Sequence, residues 1–324
     1  MKRILSGVQP SGQIHLGNYL GAIRKHIEMQ KSYECYLFIA DLHALTTVRD
    51  PEKMRKYILD LAKAYIALGL DPKKTVFFQQ SALPEHTELC WILDTITHMG
   101  LLERAHAWKD ALAKKTKEAT VGLFNYPVLQ AADILLYKPS LVPVGQDQKQ
   151  HIEMTRDIAI KFNQTYGETF PLPDPLIGED VAVVPGTDGQ KMSKSYGNTI
   201  DIFADETSLK KQVMGIKTDS TPLEKPKDPK SCIVFTLYSL LATPKETSSL
   251  AAKYKKGGFG YGDAKKLLLQ KILDHFGPAR KRFTELDKNP KIVQNILLQG
   301  NAKAKKIAGK TLEEVKRKTG LILH

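Results

Sequence analysis

The 324-residue sequence has no run of about 18 apolar residues, which argues against a membrane-spanning helix. Its opening residues, MKRILSGVQPSG, carry two basic groups but neither the apolar stretch nor the cleavage site of a secretory leader. Cysteine is scarce: Cys35, Cys90 and Cys232 stand far apart, odd in number and without CxxC spacing. That pattern speaks against a disulfide framework or a zinc site, so no protein-held metal is expected. A reducing cytoplasm is the expected setting. Internal repeats and long low-complexity tracts are missing too. What is present is ordinary for a chain that buries a core, with 42% hydrophobic and 26% charged residues. The length has room for two domains at ~100–200 residues each.

Acidic charge is scarce in one half only. Residues 1–190 carry 21 Lys and Arg against 22 Asp and Glu, a net charge of −1. Residues 191–324 carry 27 against 13, a net of +14. A neutral half followed by a basic one points to a chemistry domain beside a polyanion-binding domain. The bland alternative is a set of solvated Lys-rich helices.

Across residues 1–190, short apolar runs alternate with helical patterns. Ile4-Leu5, Cys35–Ala40, Thr75–Phe78, Leu141–Val144 and Val181–Val184 read as strands. Asp50-Pro51 opens a helix with Pro at its first position, and Leu89–Met99 and Ala131–Tyr137 suggest others. Continuous rather than alternating apolar strands, separated by helices, predict a parallel sheet covered on both faces. After Ser195 the pattern turns helical, at Cys232–Leu241, Ala264–Phe276, Pro290–Leu298 and Ala302–Lys318. The segment 217–231 reads as a Pro- and Lys-rich loop, and GGFGYGD at 257–263 as a connector. The expected fold is therefore α/β, a parallel-sheet domain over 1–190 followed by a smaller all-helical domain over 191–324.

Two strings carry chemistry. PSGQIHLGN, residues 10–18, follows the first strand and leads into a helix. Free N–H groups at such a helix start suit a phosphate, and His15 can donate to a phosphoryl oxygen. The plain alternative is a turn with Asn18 as helix cap. GQKMSKS, residues 189–195, sets Lys191 and Lys194 on a Gly-bordered loop, where two ammonium groups can hold a polyphosphate and follow charge onto a leaving group. The plain alternative is an exposed basic loop.

In this order, at opposite ends of an α/β region, the strings resemble the two signature motifs of the class I aminoacyl-tRNA synthetases. KMSKS matches the second letter for letter. GVQPSGQIHLGNYLGAI, DLHALT, YPVLQAADILLY and VPVGQDQKQHIEMTRDIAIKFN narrow the resemblance to the tryptophanyl branch and cover most of residues 1–200. Asn18 stands where the wider class has its final His, so His15 and backbone amides must serve the phosphates. Leu5 stands where some relatives carry an aromatic residue.

The resemblance implies a Rossmann-type catalytic domain and a helical tRNA domain. It implies Lys191, Lys194 and His15 as catalytic groups. ATP would meet Gln9 and, from the first motif, Pro10, Ser11, Gly17 and Asn18. It would also meet Gly145, Gln146 and Asp147 beyond a strand end, Val184 at the adenine, and Met192, Ser193 and Ser195 with the two lysines. Asp133 would accept the indole N–H, while Tyr126, Gln148 and Gln9 hold the amino-acid end. Indole is donor-only, so an acceptor in an apolar pocket selects Trp over Phe. A helix-surface Asp is the bland alternative, but the flanking AA and ILLY make an unpaired carboxylate costly there. The implied partners are L-tryptophan, tRNA(Trp) and ATP with Mg²⁺, with no prosthetic group, and the implied assembly is a homodimer. Rival readings are the tyrosyl branch, an RNA-binding chain without catalysis, and a small-molecule nucleotidyltransferase.

Overall fold

The computed structural model describes residues 1–113, 120–177 and 183–323. Five strands, β1 (Arg3–Val8), β2 (Glu34–Ile39), β3 (Thr75–Gln79), β4 (Leu141–Val144) and β5 (Asp174–Ile177), form one sheet in the order β3-β2-β1-β4-β5. Every pairing is parallel. This is the doubly wound Rossmann order, in which the chain reverses its direction of growth between β1 and β4.

Strand β2 shows why its apolar run is unbroken. Leu37 and Ile39 point into one core while Tyr36 and Phe38 point into the other. The first core takes residues from the helix Pro51–Ala67 and from the long helix Tyr261–Lys288. The second takes them from the helices Val121–Tyr137 and Lys149–Tyr166.

Strand β5 departs from the reading of Val181–Val184. Val181 and Ala182 lie outside the described residues, and Val183 and Val184 belong to no strand. The strand is DPLI instead. Its Pro175, beside Pro173, masks it in sequence, but proline is tolerated where an edge strand needs no donor. Several helices also run further than their apolar periodicity suggests. Val121–Tyr137 encloses Pro127 and is capped by Thr120, whose side chain accepts from the Leu123 N–H. Tyr261–Lys288 continues through Pro278. The helix expected over Leu89–Met99 runs from Glu85 to Asp94.

The last two expected helices are one, Pro290–Lys318, unbroken at Gly300. Gly300 lies against the edge strand: a Cβ there would sit 1.7 Å from the Phe77 carbonyl oxygen. The next residue, Asn301, accepts the Gln79 N–H of β3 through Oδ1 at 2.9 Å. Val293 and Leu297 enter the first core, and Ala304, Ala308, Leu312 and Val315 enter the second. One helix thus clasps both layers across the open side of β3, a covered edge with part of its ladder satisfied by a side chain.

Candidate active site

β1 and β4 are registered at Ile4↔Leu141. Beyond that pair, Leu5–Val8 and Val142–Val144 line opposite walls of a cavity of about 1010 Å³. The cavity therefore opens at the switch point, beyond the carboxyl ends of the strands.

The first motif turns from β1 into a helical stretch, Leu16–Asn18, Tyr19–Ile23 and Arg24–Met29, whose middle part is a wider π-type turn. The cap is His15, not Asn18. The Asn18 N–H donates to His15 Nδ1 at 3.3 Å, and the His15 N–H donates to Asn18 Oδ1 at 3.2 Å. The helix starts earlier than Asn18, so Asn18 occupies the third helical position and closes a reciprocal box. Burial first, and the Lys194 charge second, lower His15 to about 4. The ring is then neutral near pH 7. With Nδ1 accepting, its proton rests on Nε2 as a donor.

The second motif folds back over the first. Pro185 bridges Lys191, and the Met192 N–H donates to the Val184 carbonyl at 2.9 Å. Met192 Sδ accepts from the Gly17 N–H at 3.3 Å. Lys194 Nζ donates to the Ser11 carbonyl oxygen at 3.0 Å and reaches its Oγ at 3.5 Å. Desolvation lowers the Lys194 pKa, while Asp201 opposes that shift. Just past the loop, the Leu16 N–H donates to the Ile200 carbonyl at 2.9 Å and Asp201 bridges His15. The two motifs, 183 residues apart at Ser11 and Lys194, are joined by main-chain contacts as well as by a lysine.

Asp133, also in the cavity lining, is fully buried. Its Oδ2 pairs with His43 Nε2 at 2.7 Å. Its Oδ1 accepts from Gln80 Nε2 at 2.7 Å and pairs with His86 Nδ1 at 2.6 Å. His86 Nε2 pairs in turn with the Tyr137 hydroxyl at 2.9 Å. Burial alone would raise the Asp133 pKa, but the bonds and charges of His43 and His86 outweigh it and the net shift is downward. A carboxylate offers about four lone-pair positions. Three are taken, which leaves one acceptor direction.

Of the residues expected at a site, His15, Gly17 and Asn18 line the cavity from the first motif with Gln9 just before it, and Lys191 and Met192 from the second with Val184 ahead of it. Tyr126, Asp133, Gly145, Gln146 and Gln148 complete the set. Tyr126 bonds His151 Nε2 through its hydroxyl at 2.8 Å, and burial holds that phenol up at about 12. Lys194 and Ser11 meet outside the lining, Pro10 is buried, and Ser193 and Ser195 pair with each other at 2.9 Å. The Asp147 backbone lies in the short helical turn Gln146–Gln148, and its side chain lies outside the described groups.

His43, Gln80 and His86 were not singled out from sequence, although His43 falls within DLHALT. Another group missed is Ser6 on β1. Its hydroxyl meets His26 Nε2 at 3.0 Å, and His26 Nδ1 meets the Tyr65 hydroxyl at 2.9 Å. Burial, then the Lys25 charge, lower His26 to about 4. Among the described residues, no cluster of three or more His, Cys, Asp or Glu could hold a metal ion.

Residues 1–277 match the family model for tRNA synthetases of class I (W and Y). The chain is 52% identical over 323 residues to the tryptophan–tRNA ligase of Fusobacterium nucleatum subsp. nucleatum, covering 99% of each chain. It is 51% identical over 319 residues to that of Rhodopirellula baltica, covering 98% of this chain and 99% of the relative. Its fold is similar to the crystal structure of tryptophanyl-tRNA synthetase from Campylobacter jejuni complexed with ADP and tryptophan. There the TM-score is 0.94 at 48% identity, with 98% of this chain and 99% of that one covered.

Proposed function

Because the chain belongs to the class I tRNA synthetases of the tryptophan and tyrosine group, in which it acts as a tryptophan–tRNA ligase, we propose that the switch-point cavity carries both of its half-reactions. In the first, the tryptophan carboxylate attacks the α-phosphorus of ATP. A P–O bond to the bridging oxygen breaks, and pyrophosphate leaves. In the second, a hydroxyl of the tRNA's terminal ribose attacks the adenylate carbonyl and AMP leaves. The protein's part in the first step is positioning and charge stabilisation. The Campylobacter relative with ADP and tryptophan supports placing both ligands here.

Asp133 accepts the indole N–H in its remaining direction, and the two histidines and Gln80 hold the carboxylate ionised and fixed. Tyr126, Gln148 and Gln9 face the amino-acid end. Nε2–H of neutral His15 donates to a phosphoryl oxygen, and the amides at Gly17 and Asn18 add the helix-start field. Gln9, Pro10 and Ser11 form the turn under the phosphates. Gly145, Gln146 and Asp147 meet the ribose, and Val184 with Met192 flanks the adenine. Lys191 and Lys194, on a loop completed by Ser193 and Ser195, follow charge onto pyrophosphate. Mg²⁺ brought in with the nucleotide would neutralise phosphate charge.

Residues 1–190 serve this chemistry and the basic residues 191–324 hold tRNA(Trp), a division supported by their net charges of −1 and +14. Two copies pair as a homodimer. No helix among the described residues is long and apolar enough to cross a membrane. The three cysteines are free and buried, which favours the cytoplasm as the working compartment.

One observation carries the reading: the second motif's lysine bonds the first motif's turn, and the two motifs share a cavity with a buried, triply bonded carboxylate. ATP–pyrophosphate exchange measured with each amino acid in turn tests it. Exchange should depend on tryptophan, with tyrosine and phenylalanine lower by orders of magnitude. Comparable exchange with tyrosine, or none with tryptophan, would overturn it.

A further inference from the structure

Asn198 stands three residues beyond the second motif and does not line the cavity, yet it is 2% exposed. Its Oδ1 accepts the Ser193 N–H at 2.8 Å. Its Nδ2 donates to Asp188 Oδ1 at 2.8 Å and to the Lys191 carbonyl oxygen at 3.1 Å. Its own carbonyl accepts the Thr187 N–H at 2.9 Å. Gly186 closes over it: a Cβ there would sit 2.3 Å from Asn198 Cγ. In the hairpin from Pro185 to Ser193, closed by the Pro185–Lys191 bridge, the Asn198 side chain therefore ties Asp188 to Lys191 and Ser193. The Lys191 carbonyl and Ser193 amide are both drawn onto Asn198. Met192, between them, is turned down onto Gly17 and Val184. Lys191 lies at the cavity wall, while Lys194 reaches across to Ser11.

We propose that Asn198 is a positioning residue for adenylate formation, setting the hairpin so that the Lys191 and Lys194 ammonium groups meet the polyphosphate together. This rests on the reading that those two lysines act on the polyphosphate. An amide is the group the position needs, because an acceptor and two donors must leave one planar head. Aspartate would keep the bond from Ser193 but would turn a carboxylate onto Asp188 and the Lys191 carbonyl. Since the lysines are asked to stabilise charge on the leaving group, a loosened hairpin costs rate more than substrate affinity.

The test is tryptophan-dependent ATP–pyrophosphate exchange with the full chain, with Lys194→Ala as the control. Asn198→Ala should lower kcat on the order of tenfold or more and leave the KM for tryptophan within about twofold. Asn198→Asp should be slower still, and joining it to Asp188→Asn should recover part of the rate by exchanging amide and carboxylate. If Lys194→Ala is slow but Asn198→Ala turns over at the parent rate, the positioning role is wrong and the loop reading stands. Asn198→Ala losing tryptophan affinity as steeply as kcat would also overturn the role, since it marks a general structural loss. Lys194→Ala at the parent rate sinks the loop reading itself, and the role with it. Should Asn198→Ala fail to fold, Asp188→Ala removes one acceptor from the outer end of the hairpin. It should lower kcat several-fold with the KM for tryptophan unchanged, and a parent-like kcat there refutes the role.

Discussion

Asp133 is a carboxylate whose surroundings were arranged before any ligand arrives. Three donors from three different elements converge on it, so it is ionised and immobile in a place where burial alone would neutralise it. Asp133→Asn keeps one acceptor but turns an NH₂ group toward a donor. At least one charge-assisted bond is lost, at ~1.5–3 kcal/mol. Tryptophan affinity should fall at least tenfold by calorimetry, and the exchange preference for tryptophan over phenylalanine should shrink. An unchanged preference would remove the indole contact from Asp133. The same bonds have a pH signature. The folded-state pKa is depressed, so their contribution is present above the ordinary carboxylate range and is lost as pH falls through the folded value. The gap in thermal midpoint between the parent and Asp133→Asn should therefore narrow in acid. His15 shifts stability in the same direction, at higher pH. Held down at about 4, it carries no charge near neutrality, and charging it costs native stability as pH falls below its unfolded value. The ratio of parent to His15→Gln exchange rates should stay flat across about pH 6–8. A ratio that bends inside that window would show a titrating, charged His15. Asp133 itself was legible because a carboxylate between Ala131-Ala132 and Ile134-Leu135 has to have a reason. His43, Gln80 and His86 were not, since each is ordinary in its own segment and only the fold brings them together.

Elements were most readable where local pattern and tertiary need agree. β2 is apolar over Tyr36–Ile39 and β3 over Val76–Phe78 because those side chains face the cores on either side of the sheet, and the strands' limits were legible to within a residue or two. β5 was missed because proline in DPLI reads as a break, whereas an edge position removes the objection. Gly300 misled in the same way: in sequence it divides a helix, but in the fold it is where that helix touches the Phe77 carbonyl. Gly300→Ala should force the helix off β3 and lengthen the Asn301 bond to Gln79. Overpacking costs ~1–3 kcal/mol when side chains yield, and here the obstacle is backbone. The thermal midpoint should fall by several degrees or more, with tryptophan affinity of the folded fraction unchanged. A variant as stable as the parent would mean that the helix can shift freely along the strand.

For the molecule as a whole, the charge asymmetry was legible but its local use was not. Arg280 belongs to the basic run Arg280-Lys281-Arg282. Its guanidinium donates to the Ile202 and Ala204 carbonyls at 2.7 and 2.6 Å, pinning the Tyr261–Lys288 helix to the segment beyond the second motif. Lys281, Arg282 and Arg317 are exposed and remain candidates for phosphate contacts. If residues 191–324 hold tRNA, charging at limiting tRNA should fall steeply with salt, because bound phosphates release counterions. Pyrophosphate exchange, confined to a sheltered cavity, should fall less. Replacing Lys281, Arg282 and Arg317 with Gln should flatten the salt slope of charging and spare exchange. Arg280→Gln should instead lower the thermal midpoint. Identical salt profiles for charging and exchange would move the tRNA contact elsewhere.

The clasp of Pro290–Lys318 over β3 also sets an order of events during translation. The ribosome delivers the outer strand of the sheet long before it delivers the helix that shields it. Through most of synthesis the nascent sheet has a bare flank and two cores without their outer wall. Such flanks are where chains pair wrongly with their neighbours. The nascent sheet should therefore stay exposed to such pairing until its final helix clears the exit tunnel. Messages cut ahead of codon 290 should yield aggregate or degraded chain rather than a small, active exchange enzyme. Recovery of soluble, tryptophan-dependent exchange from such a fragment would show that the sheet can close without its clasp.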